Sequence, residues 1–189
     1  MLLNPEHFEN IPPVAEILYQ NGDIQARVRE LGESISDHYR GQGELLLVCI
    51  LKGGVLFLTD LIREISIPHA IGFMAISSYG VGVRESSGDV RIDMDLDINI
   101  RDKHVLIVED IIDSGNTLQY ILNQLEARQP ASLNVCCLLS KPDRRSVDIP
   151  IKFLGFEIED KFVFGYGLDL DEKFRNLPFI AVFDLENDD

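Results

Sequence analysis

Residues 45–51 read LLLVCIL, seven apolar residues in a row, set between Gly41-Gln-Gly43 and Lys52-Gly53-Gly54. A strand with one wet face alternates polar and apolar residues. A run without alternation needs cover on both faces, which is the condition of a strand inside a parallel sheet. The neighbouring segments supply the cover. Across 23–39, Ile24, Val28, Leu31 and Ile35 mark one face of an amphipathic helix. Residues 55–65 return to helical spacing through Leu58, Leu61, Ile62 and Ile65, and Pro68 closes the segment. Further strands are predicted at 70–79, 105–108 and 132–139. A half-exposed strand is predicted at 90–100, and shorter ones at 151–156, 162–166 and 179–183. Leu118, Ile121, Leu122 and Leu125 form a third helix face, and Pro130 lies beyond its end. Strands alternating with helices predict an α/β fold, a mostly parallel sheet flanked by helices.

The 189 residues fit a single domain, 1–189, with no internal repeat, low-complexity tract or linker. A chain of this length buries roughly 70% of its unfolded surface and needs no disulfide or metal staple. Formal net charge is -15. That argues against a nucleic-acid surface, which needs a basic face, and against an anionic membrane. An anionic substrate would need local cations or a metal. The N-terminus carries no basic and apolar signal-peptide pattern. The longest apolar run is far short of the ~20 residues of a membrane helix. Cys49, Cys136 and Cys137 sit in apolar runs without metal-ligand spacing, so they read as buried thiols of a reducing, cytoplasmic compartment. The last six residues, 184–189, are the one stretch whose composition favours disorder.

In open α/β sheets, ligands bind beyond the carboxyl ends of the strands. The residues following each predicted strand therefore matter most. One such stretch is VLIVEDIIDSGNTL, residues 105–118. From Ser114 to Thr117 it joins a strand to a helix, where unpaired N–H groups and the helix dipole favour an anion. Gly115 permits a tight turn, and Ser114 and Thr117 add hydroxyl donors. Simple helix capping by Asp113 or Ser114 would explain these residues alone. Glu109 and Asp110 point further. Two adjacent carboxylates at a ligand edge are costly unless a cation or sugar hydroxyls meet them. Mg²⁺, which favours one or two carboxylates plus phosphate oxygens and waters, would relieve the repulsion. Alternation sends the two side chains to opposite faces of the strand.

This stretch resembles the signature of the type I phosphoribosyltransferases, which binds 5-phosphoribosyl-1-pyrophosphate (PRPP). The order of Leu51-Lys-Gly-Gly54, Ser77-Ser-Tyr-Gly80, Lys141-Pro-Asp-Arg-Arg145 and Phe162-Val-Phe-Gly-Tyr-Gly-Leu-Asp169 is similar to that of the hypoxanthine-guanine branch. The likeness spans roughly 45–183. Asn116 fills a position that is Lys in some members and Asn in many bacterial ones. The resemblance implies the type I fold, with a core at about 40–150 and a small hood. The hood would be formed by the N-terminal segment and about 151–183.

It also implies the reaction of PRPP with a 6-oxopurine, hypoxanthine and guanine first, to give IMP or GMP and pyrophosphate in purine salvage. Ser114, Gly115, Asn116 and Thr117 would cradle the 5′-phosphate. Lys52, Gly53 and Arg175 would meet pyrophosphate, with a cis peptide before Gly53. Glu109 and Asp110 would face the ribose hydroxyls, directly or through Mg²⁺, and favour positive charge developing at C1. Asp113 would be the general base near purine N7. Lys141 would donate to the exocyclic O6, which a 6-amino group cannot accept well. Phe162 would stack on the base, and Val163 would offer backbone groups to its edge. Asp169 would help hold Mg²⁺ beside the purine. Ser78 and Tyr79, with 80–91, would form a lid that excludes water. The resemblance further implies a homodimer or homotetramer.

Asp93-Met-Asp-Leu-Asp97 imitates the start of an EF-hand, but Ile98 stands where glycine is needed and His104 where glutamate is needed. The four histidines show no metal-ligand spacing. Two competing functions share the motif: a sensor of PRPP or nucleotide, and transfer to another base such as adenine, xanthine or orotate. The acidity counts against a nucleic-acid-binding sensor, and the order of Lys141 and Phe162 counts against adenine or orotate. Turnover of a base panel separates all three.

Overall fold

The computed structural model describes Phe8 and residues 11–78 and 90–184. The elements run β1 (Val14–Tyr19), α1 (Asn21–Tyr39), β2 (Leu45–Leu51), α2 (Val55–Glu64), β3 (His69–Ser78), β4 (Val90–Met94), β5 (His104–Ile112), α3 (Asn116–Glu126), β6 (Ser132–Ser140), β7 (Phe153–Glu157), β8 (Val163–Phe164) and β9 (Ile180–Phe183). A six-stranded sheet has the order β4-β3-β2-β5-β6-β7, and a three-stranded sheet has the order β1-β9-β8. In the large sheet every pairing is parallel except that of β4 with β3.

The apolar run at β2 occupies the sheet interior between β3 and β5. Its side chains divide between two cores. Leu45, Leu47 and Cys49 join Ile24, Val28, Leu31 and Ile35 of α1 and Phe57, Leu58 and Leu61 of α2. Leu46, Val48 and Ile50 join Leu118, Ile121 and Leu125 of α3. Continuous hydrophobicity is thus resolved into two alternating faces, each covered by helix.

The second sheet is the hood. It draws β1 from the N-terminal side and β8 and β9 from the C-terminal side around Phe164, Phe179 and Ala181. Two of its contacts with the core are close. The Tyr166 hydroxyl donates to Asp60 Oδ2 of α2 at 2.7 Å. A side chain at Gly167, where φ is +98°, would overlap the Gly53 carbonyl. Two elements expected in the hood belong with the core instead: α1 packs in the first core, and β7 pairs with β6 as an edge strand of the large sheet.

Several predicted strands differ in extent. The half-exposed strand at 90–100 pairs only over Val90–Met94. Leu96 and Ile98 alternate because they lie across the sheet face at Gly72, not because they pair. The strand predicted at 105–108 continues to Ile112, because Ile111 and Ile112 stay in register with Leu139 and Ser140 of β6. β1 had no signal in the sequence; its partner β9 lies at the far end of the chain. Among the described residues, no helix is long and apolar enough to cross a membrane.

Candidate active site

The carboxyl ends of β5 and β6 meet the hood around a cavity of about 640 Å³. Six predicted site residues line it: Asp110, Asp113, Lys141, Phe162, Val163 and Asp169. They arrive from β5, the turn after β6, β8 and the loop after it, so the fold assembles a set that the sequence scatters over sixty residues.

Asp110 and Glu109 lie within β5 rather than at its end. Alternation continues from Val108 and Ile107, which face different cores, and sends the two acids to opposite faces. Asp110 lies against Gly53, where any side chain would overlap its carboxylate. Burial pushes Asp110 up to about 6, opposed by the Ile111 N–H that donates to Oδ1 at 3.0 Å and by the field of Arg175. Glu109 is partly accessible as a residue, yet its Oε2 is sealed from solvent without a hydrogen-bond partner. Burial, then the charge of Asp110, raises its carboxyl well above the ordinary range. Each acid is reluctant to ionise alone and is suited to a cation or a hydrogen-bond donor on its own face of the strand.

The loop that follows has the local geometry to hold an oxyanion. Gly115 caps α3 with φ +86°, a left-handed conformation that glycine adopts without penalty. A β-carbon there would also press on Ile149 at 2.9 Å and Val147 at 3.0 Å. Ser114 Oγ accepts from the Asn116 N–H at 3.4 Å. Asn116 and Thr117 are exposed at the first turn of α3, whose leading N–H groups have no partner within the helix. Ser146, which sequence reasoning missed, pins this loop from outside. Its N–H donates to the Ser114 carbonyl at 3.0 Å, and its Oγ lies 3.1 Å from that carbonyl and 3.0 Å from Asn116 Oδ1.

Residues 14–173 match the model of the family described as the phosphoribosyl transferase domain. The chain belongs to that family. It is 49% identical over 167 residues to the hypoxanthine phosphoribosyltransferase of Salmonella typhimurium, covering 88% of this chain and 93% of the relative. It is 49% identical over 177 residues to the hypoxanthine-guanine phosphoribosyltransferase of Mycobacterium avium, covering 90% and 86%. The crystal structure of a hypoxanthine phosphoribosyltransferase from Staphylococcus aureus superposes with a TM-score of 0.87 at 44% identity, covering 92% and 93%.

The rest of this phosphoribosyl transferase site is a web of ion pairs. Lys141 is 7% exposed and directs Nζ to Asp160 Oδ1 at 3.3 Å. Arg144 Nε lies 3.1 Å from Asp113 Oδ1 and 3.7 Å from Asp160 Oδ2. Arg175 Nη2 meets Asp169 Oδ1 at 2.8 Å, and its Nη1 donates to the Gly167 carbonyl at 2.8 Å. Lys52 Nζ meets Glu172 Oε2 at 2.8 Å, and with Arg175 it holds the Glu172 carboxyl below its usual range. Phe162 presents 49% of its surface and meets Phe183 edge-on, while Val163 is buried beside it. The cis peptide falls one residue earlier than expected, between Leu51 and Lys52. Ser78 ends β3; Tyr79 and 80–89 of the expected lid lie outside the described residues. The three thiols are buried, and burial raises each of them, Cys49 to about 12. They are core groups, as expected.

Proposed function

We propose that this chain transfers the 5-phosphoribosyl group of PRPP to a 6-oxopurine, releasing pyrophosphate and forming the purine nucleoside monophosphate. The observation that carries the reading is the convergence of Asp113, Lys141, Phe162 and Val163 on one cavity walled by Asp110. The ring would lie on the open face of Phe162. O6 would accept from Lys141, the one cation of the six predicted residues lining the cavity. Asp113 would take the N7 proton as N9 bonds to C1 and the C1–O bond to pyrophosphate breaks. The backbone from Ser114 to Thr117 would hold the 5′-phosphate. Lys52, Gly53 and Arg175 would meet the leaving pyrophosphate.

The residues present fit Mg²⁺ carried in with the substrate. Asp110 and Asp169 open on the same cavity, while Glu109 leaves β5 on the other face. Among the described residues, no group of three or more His, Cys, Asp or Glu side chains could hold a metal. A site of one or two carboxylates completed by substrate oxygens and waters suits Mg²⁺. The ion would supply charge neutralisation at the pyrophosphate. Ionised Asp110, and Glu109 behind it, would stabilise positive charge at C1. Exposed Ile71, Phe73 and Met94 support a homodimer or homotetramer. The acidity and the reduced thiols support a cytoplasmic enzyme without nucleic-acid or membrane partners.

The test is nucleotide formation from PRPP and Mg²⁺ with hypoxanthine, guanine, xanthine and adenine in parallel. Turnover of hypoxanthine, and of guanine, with adenine inert is expected. Silence with every 6-oxopurine overturns the reading.

A further inference from the structure

A 6-oxopurine offers an acceptor, O6, beside a donor, N7–H. The cavity meets that edge with a cation and a carboxylate, Lys141 and Asp113. Two opposite charges lining one cavity attract each other. Left alone, they would pair and close the edge they are meant to read. In the structure neither turns to the other. Lys141 Nζ is held at 3.3 Å by Asp160 Oδ1. Asp113 Oδ1 is held at 3.1 Å by Arg144 Nε. The two holders face each other, with Arg144 Nε 3.7 Å from Asp160 Oδ2. The order of charge is Lys141, Asp160, Arg144, Asp113, alternating throughout.

We infer that Arg144 and Asp160 are positioning residues for base recognition: an interposed counterion pair that keeps Lys141 and Asp113 apart and ready for the O6/N7 edge. The inference rests on the proposed roles of Lys141 and Asp113. The local fold fits the assignment. Arg144 ends a short 3-10 turn, Pro142–Arg144, that leaves β6, so it rides on the same turn as Lys141. The Arg144 N–H donates to the Lys141 carbonyl at 3.2 Å. Asp160 stands two residues before Phe162, on the segment that enters the hood. The pair thus bridges the core turn and the hood at the place where the base would enter. Neither Arg144 nor Asp160 lines the cavity itself, so both act through the residues that do.

Half-exposed ion pairs are weak individually, and the expected effects are modest. Arg144→Gln and Asp160→Asn should each raise the KM for hypoxanthine about 3- to 5-fold. The KM for PRPP should stay unchanged. Arg144→Lys and Asp160→Glu should recover most of the loss. The double variant Arg144→Gln with Asp160→Asn should cost less than the product of the singles, because the two act as one unit. Melting temperatures near that of the parent protein confirm folding. An unchanged hypoxanthine KM in both single variants, or equal rises for hypoxanthine and PRPP, overturns the inference. Lys141→Met and Asp113→Asn, measured alongside, separate the two levels. If these keep full activity, the functional reading fails. If they collapse while the Arg144 and Asp160 variants are silent, only the positioning role fails.

Discussion

The large sheet carries a cavity at each end. At the amino ends of the strands, a cavity of about 300 Å³ is bordered by Glu44, His69 and Lys103. At the carboxyl ends lies the cavity of about 640 Å³. At the amino ends the polar groups are matched locally. Lys103 Nζ meets Glu44 Oε2 at 2.6 Å, and His69 Nδ1 meets the Ile67 carbonyl at 2.8 Å. At the carboxyl ends, Glu109 Oε2 is buried without a partner and Asp110 is pushed up to about 6. One end is satisfied by its own sequence. The other is left unfinished in a way that a sugar, a cation and a purine would complete. Unmet polar demand separates a binding site from a gap between strands.

The sharpest way to break this contrast is at Asp113. Asp113→Asn should lower kcat about 10²- to 10⁴-fold while the KM for PRPP changes little; steady-state kinetics decide it. Equal losses in both would make Asp113 a structural group. Next is Gly53→Ala, whose β-carbon overlaps the Asp110 carboxylate. It should destabilise by about 1–3 kcal/mol, as overpacking does, and lower kcat/KM with it. Thermal melts and kinetics on the same sample report both.

A third test is pH. Burial raises Asp110 from its ordinary value to about 6. A raised carboxyl contributes stability that is fully present below its unfolded pKa, near 4, and lost as pH rises through about 6. Denaturation of the metal-free, ligand-free protein should therefore show wild type losing about 2–3 kcal/mol relative to Asp110→Asn between pH 4 and pH 7. A constant difference contradicts the burial of that charge. The smallest effect belongs to the amino end. Lys103→Met should leave kcat and both KM values unchanged and move Tm by no more than ~2 °C. A large loss of activity there would erase the distinction between the two ends.

What the sequence disclosed follows the same physics. β2 and the helices were legible because burial on both faces, or on one stripe, is written as local periodicity. Strand β1 was not, because its only sheet partner among the described residues is β9, more than 160 residues away. The extent of β5 was misread because acids look like a strand end, whereas backbone pairing to β6 continues past them. The six predicted residues that share the carboxyl-end cavity were singled out by motif order. Ser146 and Asp160 were not. Each acts on a residue of another segment, Ser146 on Ser114 and Asn116 and Asp160 on Lys141, and neither has a local pattern. Asp110 also acquires its raised pKa from tertiary structure, through burial first and the nearby charge of Asp169 second.

In the proposed function the carboxyl-end cavity reads a 6-oxopurine through Lys141. Lys141→Met keeps the length and apolar stem of a side chain that is 7% exposed and removes only the donor. The decisive measurement is kcat/KM for hypoxanthine and for adenine in the parent protein and in this variant. A fall of about 10²- to 10³-fold is expected for hypoxanthine, the cost of an unmet polar contact at a site built to make it, with the low adenine rate of the parent protein unchanged or raised. Hypoxanthine turnover that survives the loss of Lys141 contradicts it.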